Sequence, residues 1–256
     1  MFWGFIKMAM SMGSYASRVV ATAVVATDGT GDFTDIQEAI DSLPAGGGCI
    51  YIKQGTYNLT VALSITSDNI SITGCGYSTN INVGANNINV VYINGADKFT
   101  LSDCRLVGTT RVIIPAAAIK INNSNDGIIS HCWLQAIRGD IIQFKSACTG
   151  MMIINNNFMQ PALWGLKMDQ NGISENIICG NIINGCVNFD GIQISADCHY
   201  NVIEGNVITD CGRYGIYIAD INAKGNIISG NIIRNNTTDQ IRDISVDTQI
   251  GHNVMS

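Results

Sequence analysis

Residues 153–159 (IINNNFM), 177–183 (IICGNII), 202–208 (VIEGNVI) and 227–233 (IISGNII) are near-copies of one phrase. Cutting the chain into turns of 24 to 29 residues brings Cys75, Cys104, Cys132, Asn157, Asn181, Asn206 and Asn231 into one column. A small polar residue flanked by Ile and Val, recurring every 25 or so residues, is what a coiled stack of short parallel strands requires. Each turn sets its Asn above the one below, and amide bonds amide along the stack. Asn is also common in surface turns. Four consecutive turns nevertheless keep it at one offset from the apolar pair, so the column reads as an internal ladder. Each such bond nets only about 0.5–1.5 kcal/mol, but an orphaned interior amide costs about 1–3 kcal/mol.

From Cys49 onward one strand per turn alternates apolar, polar, apolar: Ile50-Tyr51-Ile52, Val91-Tyr92-Ile93, Ile119-Lys120-Ile121, Ile142-Gln143-Phe144, Leu166-Lys167-Met168, Ile192-Gln193-Ile194 and Ile216-Tyr217-Ile218. A second strand per turn precedes the Cys/Asn column. Gly165, Gly191 and Gly215 stand just before the first strand, where a tight bend is expected. Ahead of the stack, residues 19–26 (VVATAVVA) read as a strand and 28–32 (DGTGD) as a turn. A helix follows, with Thr34 as N-cap, Ile36, Ala39, Ile40 and Leu43 on its apolar face, and Leu43-Pro44 as its stop. The expected architecture is all-β: a right-handed single-stranded parallel β-helix with an N-terminal capping α-helix that covers the open end of the first turn. It divides into an N-terminal arm at 1–18, a strand and capping helix at 19–48, and the β-helix at 49–256. The last phrase, Gly251 to Ser256, begins one more rung, for which a neighbouring subunit, a returning loop such as 236–250 or a separate partner is the expected cover.

Composition narrows the function. Only three Pro and 13% charged residues stand against 46% hydrophobic, so the chain buries a great deal. A net charge of -6 without a Lys/Arg cluster excludes nucleic acid, whose backbone calls for a basic stripe. Residues 1–19 mix Lys7, Arg18, four Met and four aromatics around a broken apolar stretch, which suits a docking arm better than a signal peptide. No run of 18 apolar residues proposes a membrane span. Nine Cys is an odd number, and Cys186 and Cys211 share a second column. Reduced, buried thiols are expected, which suits assembly in a reducing cytoplasm. His131, His199 and His252 lack paired ligand spacing, so neither a metal nor a cofactor is expected.

Residues 24–60 (VVATDGTGDFTDIQEAIDSLPAGGGCIYIKQGTYNLT) and 69–76 (NISITGCG) resemble the opening of pectin methylesterases and of the wider pectate-lyase-like β-helix superfamily. Similar modules occur in bacteriophage tailspikes and virion surface proteins. The resemblance implies the fold over the whole chain, but its closest part covers about a fifth. Esterases of that family carry an acid after the GTY phrase, a Gln-Asp pair, a DFIFG-like strand and an Arg-Pro-Trp segment. Here Asn58 and Leu59 follow Gly55-Thr56-Tyr57, no Gln-Asp-Thr phrase occurs, Asn188-Phe189-Asp190-Gly191 only echoes the Asp strand, and Ala162-Leu163-Trp164-Gly165 lacks the Arg. No catalytic residue carries over.

From the residues themselves, a sugar hydrolase needs two carboxylates flanking a groove. Asp140 and Asp190 fall in one register two turns apart, implying about 9.6 Å at the usual strand spacing. Asp169 lies beside Lys167, with Lys145 one turn below. The same acids also suit an ordinary solvated surface. The outward stripe of Tyr92, Lys120, Gln143, Lys167, Gln193 and Tyr217 mixes aromatic and long polar side chains, as glycan grooves and subunit interfaces both do. Turns this short leave little room for cleft walls. The sequence therefore favours a non-catalytic structural protein, a homo-trimeric virion or cell-surface component. It would dock through its arm to a surface or virion partner and present its sides to glycans or proteins. The alternative is a polysaccharide-active enzyme of pectinesterase, lyase or glycoside hydrolase type.

Overall fold

A computed structural model of the chain describes residues 21–83, 88–108, 116–135 and 138–256. The expected arm at 1–18 lies outside the described residues. The backbone winds as a right-handed parallel β-solenoid of about 9 turns. Three parallel sheets run along it. The first has ten strands, from Ala23–Val25 to Gln249–Ile250; the second has nine, from Gly55–Asn58 to Val254–Met255; the third has eight, from Leu63–Ile65 to Asp239–Asp243. A representative turn runs Ile177–Cys179 in the first sheet, bends through Gly180 and Asn181, and continues as Ile182–Asn184 in the second. It then crosses to Ile192–Ile194 in the third and returns as Val202–Glu204 one level up.

The repeat builds the core directly. Ile178 faces Ile203 and then Ile228, while Ile183 faces Ile208 and then Ile233, all without exposure. Each such side chain contributes about 1.5–3 kcal/mol of burial. Ile177, Ile182, Ile227 and Ile232 alternate outward and are partly exposed.

The corner between the first and second sheets carries the amide ladder. Asn156, Asn181, Asn206 and Asn231 each donate side-chain Nδ2 and backbone N–H to the Oδ1 of the next Asn at 2.9–3.1 Å, and the run ends on Asn253. Cys132 N–H donates to Asn156 Oδ1 below them. Two members of the expected column are displaced. Asn157 pairs with Ile182 on the outer face, and Asn156 takes the ladder place; Asn155, with φ +55°, stands where the next turns have Gly180 and Gly205. Cys75 sits off the column because a 3₁₀ turn, Gly76–Ser78, lengthens that corner, and buried Thr79 precedes Asn80, the partner of Arg105, opposite Cys104. A second ladder, Asn176, Asn201 and Asn226, runs ahead of the first-sheet strands by the same amide-to-amide bonding.

Three further details differ from expectation. Ile50-Tyr51-Ile52 belongs to the first sheet, paired with Ala23–Val25 and Ile70–Thr73, so the third sheet starts at Leu63. The helix spans Ile36–Asp41, and its N-cap is Asp35, whose carboxylate accepts from Glu38 N–H; Thr34 lies outside. It packs on the first strands of both neighbouring sheets through Ile36, Ala39 and Ile40. The segment 236–250 is no returning loop: Asp239–Asp243 and Gln249–Ile250 continue the third and first sheets as a further rung.

Candidate functional site

The outer face of the third sheet gathers the chemistry. Where the chain enters this sheet, Gly165, Gly191 and Gly215 stack on one another. A Cβ on Gly191 would lie 2.4 Å from Ile208 Cγ2 and 2.6 Å from the Gly215 carbonyl oxygen, so only glycine fits the bend. The bend turns Trp164, Asp190 and Tyr214 outward, and the register sets Asp140, which is followed by Ile141 in place of a glycine, in the same column, two residues ahead of the paired Ile142, Leu166, Ile192 and Ile216. Alongside runs the column Tyr92, Lys120, Gln143, Lys167, Gln193 and Tyr217, in register throughout.

Trp164 links the two acids. Its backbone N–H donates to Asp140 Oδ1 at 3.4 Å and its indole N–H to Asp190 Oδ2 at 3.2 Å. One indole face stacks on Phe189 at 4.1 Å, and the Lys167 ammonium lies 4.2 Å from the ring centre. Asp190, wholly buried, accepts both arms of Arg213 at 2.8 and 2.5 Å and the Tyr214 N–H at 3.1 Å. The Arg213 guanidinium also lies 5.1–5.4 Å from the Phe189, Tyr214 and Tyr217 rings. Hydrogen bonding to Asp190 raises the pKa of Arg213.

Asp140 differs. It is buried with that single long hydrogen bond, and loss of solvent pushes its carboxyl up to about 6, against the pull of Lys167. Asp169 is also partly desolvated, but hydrogen bonds from Lys167 at 2.7 Å and Lys145 at 3.3 Å outweigh burial and hold its carboxyl below the usual range. The face thus holds one carboxyl raised to about 6 and two carboxylates neutralised by cations, a separation that lets one site run acid and base chemistry. The carbonyl oxygens of Gln143 and Gln193 are buried there without partners. Among the described residues no His/Cys/Asp/Glu cluster could hold a metal, and no helix is long and apolar enough to cross a membrane.

Asp140, Asp190 and the stripe are thus brought onto one face, with Asp169 at its margin beside Lys145 and Lys167. Sequence reasoning missed Trp164 as the link, Phe189 and above all Arg213. The register that sets Asp190 opposite Tyr214 puts Arg213 one turn above it, so the signal was present in the spacing. The nine cysteines are free thiols; Cys186 and Cys211 are buried, and burial lifts the Cys186 thiol well above its usual range, with Cys211 beside it adding to the shift.

A family model described as a right handed beta helix region matches residues 89–253, and a pectinesterase model matches residues 22–130. Among curated proteins, Pectinesterase 1 of Solanum lycopersicum is 36% identical over 101 residues, 38% of this chain and 18% of that protein. Pectinesterase/pectinesterase inhibitor 18 of Arabidopsis thaliana is 33% identical over 85 residues, 32% of this chain and 14% of that one. The chain therefore spans less than a fifth of these relatives. Solved structures share the fold: a carrot pectin methylesterase (TM-score 0.61, 16% identity, 93% of this chain and 84% of that one) and an alginate lyase from Paenibacillus sp. str. FPU-7 (0.65, 13%, 86% and 91%). The Dettilon tailspike protein is similar too (0.66, 18%, 86% and 44%). The expectation of a non-catalytic structural protein is overturned by the pectinesterase matches, which support the polysaccharide-active alternative.

Proposed function

The chain belongs to the right-handed β-helix family, and on that premise we propose that it is a polysaccharide-active enzyme, of pectinesterase, lyase or glycoside hydrolase type, working on the outer face of its third sheet. The observation that carries this reading is Asp140, a carboxyl held protonated to about 6 on a face with two cation-paired carboxylates and aromatic rings. Asp140 serves as the proton donor to a leaving oxygen. Asp190, fixed by Arg213, Tyr214 N–H and Trp164, sets the field and holds the aromatic wall; Gln143 and Gln193 offer acceptors to sugar hydroxyls, and Tyr214 and Tyr217 offer ring faces. The pectinesterase match supports an ester substrate but ends at residue 130, ahead of both acids. Such substrates stand outside cells, and an extracellular or surface location belongs to the same proposal.

Purified protein would be assayed for methanol release from methyl-esterified pectin, for unsaturated products from polygalacturonate and alginate, and for reducing ends from neutral glucans. Turnover of one class is expected, falling about 10²–10⁴-fold in Asp140→Asn. No turnover on any class, or an unimpaired Asp140→Asn, sinks the reading. Homo-trimer assembly is a separate proposal, supported by the exposed Ile244, Val246, Ile250, Val254 and Met255; a monomeric mass in solution removes it.

A further inference from the structure

A second cluster lies on a different face, the outer side of the second sheet. Asn80, Arg105 and Trp133 stand in one column on three successive turns. Each has a buried polar atom without a hydrogen-bond partner: Asn80 Oδ1, Arg105 Nε and Trp133 Nε1. Such atoms are uncommon in folded proteins and costly to leave unpaired. Only two others occur among the described residues, and both are the glutamine carbonyls of the third sheet.

The cluster is also charged and aromatic. Arg105 Nη2 donates to Gln135 Oε1 at 3.0 Å, and the guanidinium carbon lies 4.6 Å from the centre of the Tyr77 ring. Tyr77 meets Trp133 edge-on at 5.6 Å and is itself 58% exposed. Among the described residues no carboxylate pairs with Arg105, whereas Arg213 and Lys167 both have one. Arg105 is thus a partly buried cation with a spare N–H. Trp133, with its spare indole N–H, sits on the adjacent strand, whose backbone lies about 4.8 Å away, and Asn80, with its spare amide oxygen, sits one strand to the other side.

Two adjacent donors, one on an unneutralised cation, fit a carboxylate; the amide oxygen fits a hydroxyl; an exposed ring fits the apolar face of a pyranose. We propose that this column binds an acidic saccharide unit, a uronate whose carboxylate accepts from Arg105 Nε–H and Trp133 Nε1–H and whose hydroxyl donates to Asn80 Oδ1. Tyr77 sits in the short turn Gly76–Ser78 and moves aside to stack on the sugar ring. The site does not depend on the chemistry of the third sheet. It would hold a polyuronate chain to the flank of the solenoid.

The test is calorimetric titration with trigalacturonate and, as the uncharged probe, cellotriose. The full chain carries Asp140→Asn so that no probe is consumed. Trigalacturonate is expected to bind at least about tenfold more tightly than cellotriose. Arg105→Lys, which keeps the charge and loses the fork, and Tyr77→Ala, at an exposed ring, are each expected to weaken it by about tenfold or more. Tyr217→Ala reports separately on any binding at the third sheet, Ile221→Ala, an exposed side chain in the segment between the third and first sheets, is expected to leave binding intact, and thermal melts report that each variant folds. Equal binding of the two probes, no binding of trigalacturonate, or loss in Tyr217→Ala with Arg105→Lys and Tyr77→Ala unaffected would overturn the proposal. Turnover assays on the wild-type chain report separately on the third sheet.

Discussion

The two amide N–H groups of Asn206 share three acceptors, Ile178 O, Glu204 O and Asn231 Oδ1, and its Oδ1 takes two hydrogen bonds from Asn181. Leucine in its place strands the Asn181 N–H and the Ile178 carbonyl in a dry interior, so Asn206→Leu is expected to cost about 3 kcal/mol or more in urea unfolding. The comparison is Asn235→Gly at an exposed position with φ +57°, where glycine is at ease and little change is expected; equal losses would remove the ladder as a source of stability. Asp140 supplies a pH signature. Its native carboxyl keeps a proton up to about 6 and its unfolded one only to about 3.9, so between those values the native state binds more protons. Its contribution is fully present below the unfolded value and is lost as pH rises through 6, at most about 3 kcal/mol. Asp140→Asn keeps an acceptor for Trp164 N–H, and unfolding midpoints at pH 5 and pH 8 should differ less in it than in wild type. At this scale the sequence showed which residue types repeat but not always which copy counts. Three consecutive asparagines, 155–157, left the offset open until Ile153 paired with Ile178 and chose Asn156.

The third sheet takes its shape from the glycine corner. Gly191→Ala would drive a methyl into Ile208 and the Gly215 carbonyl, one of them backbone, and cannot be relieved by turning a side chain. A loss of about 1–3 kcal/mol is expected, against little change for Gly46→Ala, where nothing lies within 4 Å. Because that corner aims Asp190 outward, in the column it shares with Asp140, the same variant should lose any turnover by more than its stability loss explains; activity measured well below its melting temperature checks this. Alternation of apolar and polar residues made the stripe from Tyr92 to Tyr217 legible, since period two leaves no freedom within a strand. The corners were less legible. Phe189 and Arg213 come from the segments between sheets, where the spacing varies by a residue or two, and the 3₁₀ turn at Gly76–Ser78 shifted Cys75 out of the column that simple counting gave it.

A stack in which each turn touches only its neighbours should survive the loss of one whole turn. Removing residues 177–201 joins Asn176 to Val202. Val202 then faces Met152 in place of Ile177, Ile216 faces Leu166 in place of Ile192, and Asn206 takes the amide of Asn156 in place of Asn181. Every inward Ile stays inward, so cooperative thermal unfolding by circular dichroism is expected, at a lower temperature. The shortened chain loses Phe189 and Asp190 and leaves Arg213 without its carboxylate, so turnover is expected to vanish although the fold remains. Removing Val202 as well, residues 177–202, shifts the next strand by one. Glu204 would then stand where Ile203 filled the core, and a carboxylate in that position has no partner. That longer deletion is expected not to fold. If both deletions melt alike, register does not govern the stack, and the columns from which the two proposed sites are built lose their footing.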